Sequence, residues 1–326
     1  MASRTNLSNP LVLHGQHFGQ TVFALCNYPS LLTGGILRLE ELLDSPIDDY
    51  PADIQREHRV FLELIDSYPG LLECLMAGEE EDVIHVGELM GKGASSAWGN
   101  NTKTLKSAIL EWLVPRGQPL IPPLSRNIKS DRGLNHEVTG ALLCPAGLDW
   151  SNPETKQSLK SGKTVVHGDQ WPMFLYFGYI YDPEAPWQGL LRSKMLGFKH
   201  IFTSPSSVEK EPKATCSGNV YLHGMKSVTK GSLAYIVTQV QFALSSSSVF
   251  SHTDTVTDSE NFYHSILDLL EDPDEIEEVT DLMTWWTHRI FPNSSSSERS
   301  ISKNSMLFKI QEKRAALRAW ADANTD

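Results

Sequence analysis

His252, Thr253 and Asp254 space an imidazole and a carboxylate as in the first half of a two-histidine, one-carboxylate iron site. Such a site leaves three coordination positions open for dioxygen and a cosubstrate. The third ligand would have to be His264 or His288. In the jelly rolls that use this triad, several strands separate the first pair from the distal histidine. Here residues 258–291 read as two helices, so the HxD is better explained as a loop ahead of a helix cap. A second pairing is Cys144 with His136 eight residues upstream, a nucleophile and a base. Activating that thiol requires a helix N-terminus or positive neighbours. The Pro145-Ala146-Gly147 that follows reads as a turn, which makes Cys144 a small apolar residue in a packed turn. No GxSxG elbow, HExxH helix or GxGxxG fingerprint occurs. The glycines between Gly91 and Asn101 lack the order of a phosphate-binding GxxxxGK[ST] loop.

Anion chemistry has the best composition. Lys103, Lys106, Arg116, Arg126, Lys129 and Arg132 precede Arg192, Lys194, Lys199 and His200, with Trp171, Tyr176, Tyr179 and Trp187 between the two groups. Phosphate contacts combined with base stacking on aromatics hold single strands. The plainer account makes the aromatics core and the charges solvated. The run Glu79 to Asp82 reads as acidic residues at a helix start, where they complement the macrodipole.

The elements that must carry these residues are mostly helical by spacing. Phe18 to Cys26, Leu37 to Leu43, Pro51 to Tyr68, Leu71 to Met76 and Glu79 to Met90 form the first third. Gly91 to Asn101 reads as a loop, and a helix follows through Leu105, Ile109 and Trp112. Residues 115–135 hold four prolines and read as a strap or linker. His136 to Cys144 reads as extended, Pro153 to Lys160 and Pro186 to Phe202 as helical, and Val228 to Leu244 as a buried helix. Asp258 to Leu270, a segment starting at Pro273, and Ser302 to Ala321 complete the series. The expected fold is a mainly α-helical globular one with a small extended element near 136–144. The parts are an acidic N-terminal part (1–114), the strap (115–135) and a main part (136–326), which together can form one domain.

The chain has 326 residues, 40% of them hydrophobic, which excludes wholesale disorder, and a net charge of −12. Residues 1–100 hold 5 Lys/Arg against 15 Asp/Glu, whereas residues 101–235 hold 16 against 10. Such a chain is a poor general polyanion binder, since phosphate affinity needs many simultaneous cations. No apolar run approaches a membrane span. Cys26, Cys74, Cys144 and Cys216 form no CxxC pair and fit scattered thiols of a reducing compartment, with Cys26 and Cys74 in the core.

Five segments carry a family likeness: Thr102 to Trp112, Thr139 to Trp150, Gly168 to Tyr176, His200 to Ser207 and Thr253 to Tyr263. Together they resemble an uncharacterised domain-of-unknown-function family expanded in mushroom-forming basidiomycete fungi. The resemblance spans roughly residues 9–320 and brings no activity, cofactor or catalytic residue with it. In that family the position of His252 is often not histidine and that of Cys216 is often basic, which weighs against a site on either. The expected function is therefore non-enzymatic binding or scaffolding, intracellular, in cytoplasm or nucleus, with a protein partner, no cofactor and no membrane. A nucleic-acid-associated protein using Lys103, Lys106, Arg126, Lys129, Arg132, Arg192, Lys194 and Lys199 is the alternative. A metal-dependent enzyme at His252, Asp254, His264 and His288 ranks last.

Overall fold

Asn9 accepts the Leu11 amide at 2.9 Å and Pro10 occupies the first turn, so α1 (Pro10–Thr21) begins there. Asn27 and Pro29 start α2 (Tyr28–Glu41) in the same way. Pro51 precedes α3 (Ala52–Ser67), whose buried His58, Phe61 and Leu64 recur at helical spacing. Gly70, at φ +81°, turns the chain into α4 (Leu71–Ala77). Glu80, Glu81 and Asp82 lie in the first turn of α5 (Glu80–Trp112), and the Asp82 carboxylate accepts the Glu79 amide at 3.1 Å. Then come α6 (Glu137–Leu143), α7 (Pro153–Lys160, capped by Asn152), α8 (Lys230–Leu244), α9 (Ser259–Glu271) and α10 (Ile276–Ile290). The computed structural model describes residues 9–43, 45–115, 117–197, 201, 225–248, 250, 258–291 and 313–314. Lys199, Cys216, His252 and Asp254 fall outside the described residues, and of the expected helix over 302–321 only 313–314 are described, as helical. Among the described residues there is no strand, and no helix is long and apolar enough to cross a membrane.

The helices pack around two apolar clusters. The first gathers Phe18, Tyr28, Leu32, Phe61, Leu64 and Met90 from α1, α2, α3 and the first half of α5. The second, larger cluster joins Leu105 and Ile109, late in α5, to α6, the 174–196 region and α8 to α10. At 33 residues α5 is about 50 Å long, so it runs through both. The loop expected at Gly91 to Asn101 is instead the middle of this helix. Each helical glycine costs about 1 kcal/mol relative to alanine, and packing explains its use here. A Cβ on Gly93 would stand 1.9 Å from the Val12 carbonyl, and one on Gly15 would stand 2.1 Å from the Met90 carbonyl. The two backbones therefore cross in contact, which only glycine allows.

Every residue of α8 after Lys230 is buried. Its start is closed by a reciprocal cap, in which Thr229 Oγ1 accepts the Ser232 amide (3.1 Å) and Ser232 Oγ accepts the Thr229 amide (2.9 Å). Its end is closed by the strap. Lys129 Nζ donates to the Phe242 carbonyl at 2.6 Å and lies 3.4 Å from the centre of the Phe242 ring. Arg132, fully buried, donates from Nη1 to the Ala243 carbonyl at 2.9 Å and from Nη2 to the Ser125 carbonyl at 3.1 Å. Burial, and then the neighbouring Arg132 and Lys106 cations, lower the Lys129 ammonium to about 7.

Three further expectations are corrected. Residues 136–144 are not extended: His136 Nδ1 accepts the Val138 amide at 3.1 Å and caps α6. A histidine can replace the usual Ser, Thr, Asp or Asn at that position because its ring nitrogen accepts a backbone N–H. Pro186 to Gly197 forms successive turns rather than a helix, because Gly189 (φ +74°) and Leu191 (φ +55°) reverse the chain. Cys74 is exposed, on the outer side of α4, while Leu71 and Leu75 face inward.

Substituting Gly93→Val is expected to destabilise the protein by about 3 kcal/mol or more, since the clash is with backbone. Gly99→Ala, in open space on the same helix, should stabilise it by up to about 1 kcal/mol; urea unfolding measures both. For Lys129, the unfolded chain holds a proton between pH 7 and the ordinary lysine range that the folded chain has released. Stability from this group therefore rises with pH across that window. The melting-temperature gap between the wild type and Lys129→Met should widen in favour of the wild type from pH 7 to pH 9.

Candidate docking surface

Phe174, Leu175 and Tyr176 are buried in the larger cluster. The chain then makes a 3-10 turn, Phe177–Tyr179, in which Gly178 (φ +68°) and Tyr179 (φ +58°) are both left-handed. A left-handed non-glycine residue costs of order 1 kcal/mol and persists only where its surroundings fix it. Here Phe177 N donates to the Gly189 carbonyl at 2.8 Å and Tyr179 N to the Tyr176 carbonyl at 3.1 Å. The consequence is that Phe177 and Ile180 point outward, 66% and 71% exposed.

The opposite wall comes from α10. Trp286 is buried and its indole donates to the Leu191 carbonyl at 2.9 Å, which seats the helix on the turn. Its neighbour Trp285 is thereby left on the rim. Phe177, Ile180, Asp182, Gln188, Gly189, Arg192 and Trp285 line a groove of about 450 Å³. The guanidinium groups of Arg192 and Arg289 stand 5.5 and 5.1 Å from the Trp285 ring. Arg192 also donates to Asp281 at 2.7 Å, and Lys194 lies 5.8 Å from the Tyr179 ring. Aromatic side chains and arginine at a rigid, partly desolvated depression are the residue types that dominate binding energy at protein interfaces.

The basic residues singled out from the sequence lie in two neighbourhoods. Beside the strap, Lys103 is exposed on α5, Lys106 donates to the Asn127 carbonyl (3.1 Å), and Arg126 pairs with Glu111 (3.0 Å). Lys129 and Arg132 are buried there as the caps of α8. Arg192 lines the groove, Lys194 stands over Tyr179 in the adjoining turn, and Lys199 is outside the described residues. Of the metal candidates, His264 on α9 is half-buried, with Nδ1 3.4 Å from Arg56 Nη1 and its ring against Phe23. Burial and the Arg56 cation lower its pKa below the usual histidine value. His288 is exposed in the last turn of α10. Among the described residues no group of three or more His, Cys, Asp or Glu side chains is placed to hold a metal.

The Cys144 and His136 pair is occupied structurally. Cys144 is fully buried with Sγ 3.6 Å from the Leu148 carbonyl, and burial, then Asp149, push the thiol up to about 11. His136 spends Nδ1 on the α6 cap and places Nε2 2.8 Å from the Pro122 carbonyl. Residue type and spacing alone do not single out Phe177, Ile180, Trp285 or Arg289 as a site. The only local signal was Gly178 within an aromatic run, which marks a turn that must expose part of that run.

No curated protein and no solved structure matches the chain. The model of a family of unknown function, DUF6698, matches residues 92–291, the stretch that supplies the whole of the larger core and the groove, and the chain belongs to that family.

Proposed function

We propose that the protein is a non-enzymatic binding protein whose partner docks in the groove between the Phe177–Tyr179 turn and Trp285. The observation that carries this reading is the outward placement of Phe177 and Ile180 on a turn held in a strained backbone conformation, beside a tryptophan flanked by two guanidinium groups. Exposing two large apolar side chains this way costs solvation that a partner would recover. The likeness to a basidiomycete family and the scattered thiols support an intracellular fungal setting, in cytoplasm or nucleus.

Nucleic-acid binding through the basic middle is supported less well. Lys129 and Arg132 serve as helix caps, and Arg126 and Arg192 are paired with carboxylates. Catalysis at Cys144 is disfavoured by its raised thiol and the engaged His136.

A photo-crosslinking residue in place of Ile180 should give one discrete adduct in the native cell, absent when the same residue replaces the exposed Val165. Trp285→Ser should abolish it. Equal adducts from both positions, or none from Ile180, would defeat the reading, as would turnover of a metabolite by the purified chain. In native-state alkylation at pH 8, exposed Cys74 should react quickly while Cys144 reacts only on unfolding, as mass spectrometry of the peptides will report.

A further inference from the structure

We infer that the groove is filled by the acidic end of α2 from a second copy of the chain, so that copies associate head to tail. This rests on the docking reading above and names its occupant. The inward face of α2 carries Leu31, Leu32, Gly35 and Arg38. Leu37, Glu40 and Glu41, spaced three and four apart, therefore share the outward face. Leu37 is 62% exposed, and Leu43, just past the helix, is 85% exposed, the highest value among the exposed large apolar side chains described. Glu40, Glu41, Asp48 and Asp49 lie near them in the chain, all exposed, and none of the four forms an ion pair among the described residues. The result is an apolar knob on an acidic background.

The groove is its counterpart in both respects. Phe177, Ile180 and Trp285 supply its apolar lining, and beside it stand Arg289, over the Trp285 ring, and Lys194, over the ring of Tyr179 in the adjoining turn, neither with a carboxylate partner among the described residues. Arg192 is matched by Asp281, and the lining also holds the Asp182 carboxylate, which accepts the Glu184 amide at 3.0 Å, so the positive surplus beside the groove comes from Arg289 and Lys194 together. Among the other strongly exposed apolar side chains, Ile121 and Ile128 sit on the strap among cations; Ile276 and Met76 also lie near carboxylates in the chain but are less exposed than Leu43, and Ile276 belongs to α10, the helix that carries Trp285. The wider charge distribution points the same way, with 5 Lys/Arg against 15 Asp/Glu in residues 1–100 and 16 against 10 in residues 101–235. Opposite fields steer such surfaces together. Both surfaces are exposed within one chain, so their meeting requires two chains. Because the two patches differ, the interface is heterologous, and it closes into a ring or extends.

Sedimentation velocity of the full chain over a concentration series at low salt tests this. The mass should rise above one chain, and added salt should lower it. Glu40→Lys with Glu41→Lys, and separately Lys194→Glu with Arg289→Glu, should each weaken association about tenfold. The four changes combined in one chain should restore it, with circular dichroism unchanged in all three variants. Leu43→Ser should weaken it without altering charge. A monomer up to about 100 µM, association indifferent to both swaps, or two weakened swaps that fail to rescue each other would overturn the inference. If the chain is monomeric while the Ile180 crosslinker still captures another protein, only this inference falls. If neither association nor crosslinking occurs, the docking reading falls with it.

Discussion

The C-terminal carbonyls of α8 set the constraint on which the rest of the structure depends. A helix ends with unpaired carbonyl oxygens that water ordinarily satisfies. α8 is buried to its last residue, so water does not reach the Phe242 and Ala243 carbonyls easily. An unsatisfied buried acceptor costs about 1–3 kcal/mol. Lys129 and Arg132 supply the donors, and the Arg132 cation also matches the negative end of the helix dipole. The proline-rich strap is thereby fixed against the core rather than left as a free connection.

This arrangement spends positive charge inside the fold. Lys129, Arg132 and Lys106 lie close enough for the first to be depressed by the other two. A basic stretch that looks suited to phosphate thus serves backbone oxygen first. The other end of α8 follows the same logic: Thr229 donates to the Thr21 carbonyl at the close of α1, which ties the N-terminal helices to the larger core. Asn101 and Thr102 on α5 meet Tyr235 and Gln239 at 2.9 Å and fix the rotation of α8 about its axis.

Burial demands also shape the groove. Packing Phe174, Leu175 and Tyr176 inward and seating Trp286 on Leu191 leave no inward room for the side chains next to them. Phe177 and Ile180 are exposed, and Trp285 is only partly buried, because their immediate neighbours are core. The left-handed Tyr179 and Leu191 hold this geometry against the tendency of apolar side chains to fold back.

The helical class and the positions of α3, α4 and α7 to α10 are legible in local residue patterns, whereas the helices expected over 18–26 and 37–43 start earlier, at Pro10 and Tyr28. Asn9, Pro51, Asn152, Thr229 and the run Glu79 to Asp82 act locally, on the amides beside them, and the apolar stripes of α3, α8, α9 and α10 repeat at helical spacing. The remaining features depend on contacts between segments distant in the chain. Gly91 to Asn101 stays helical because Val12 approaches Gly93, a partner some 80 residues away in the chain. His136 caps a helix because Pro122 orients its ring. Lys129 and Arg132 are buried because an otherwise uncapped helix end lies above them, while Phe177 and Trp285 form one groove because α10 docks on Leu191. Local signals act through adjacent backbone groups and can be read in sequence; the identity of a distant carbonyl or ring that completes a site is set only when the core packs.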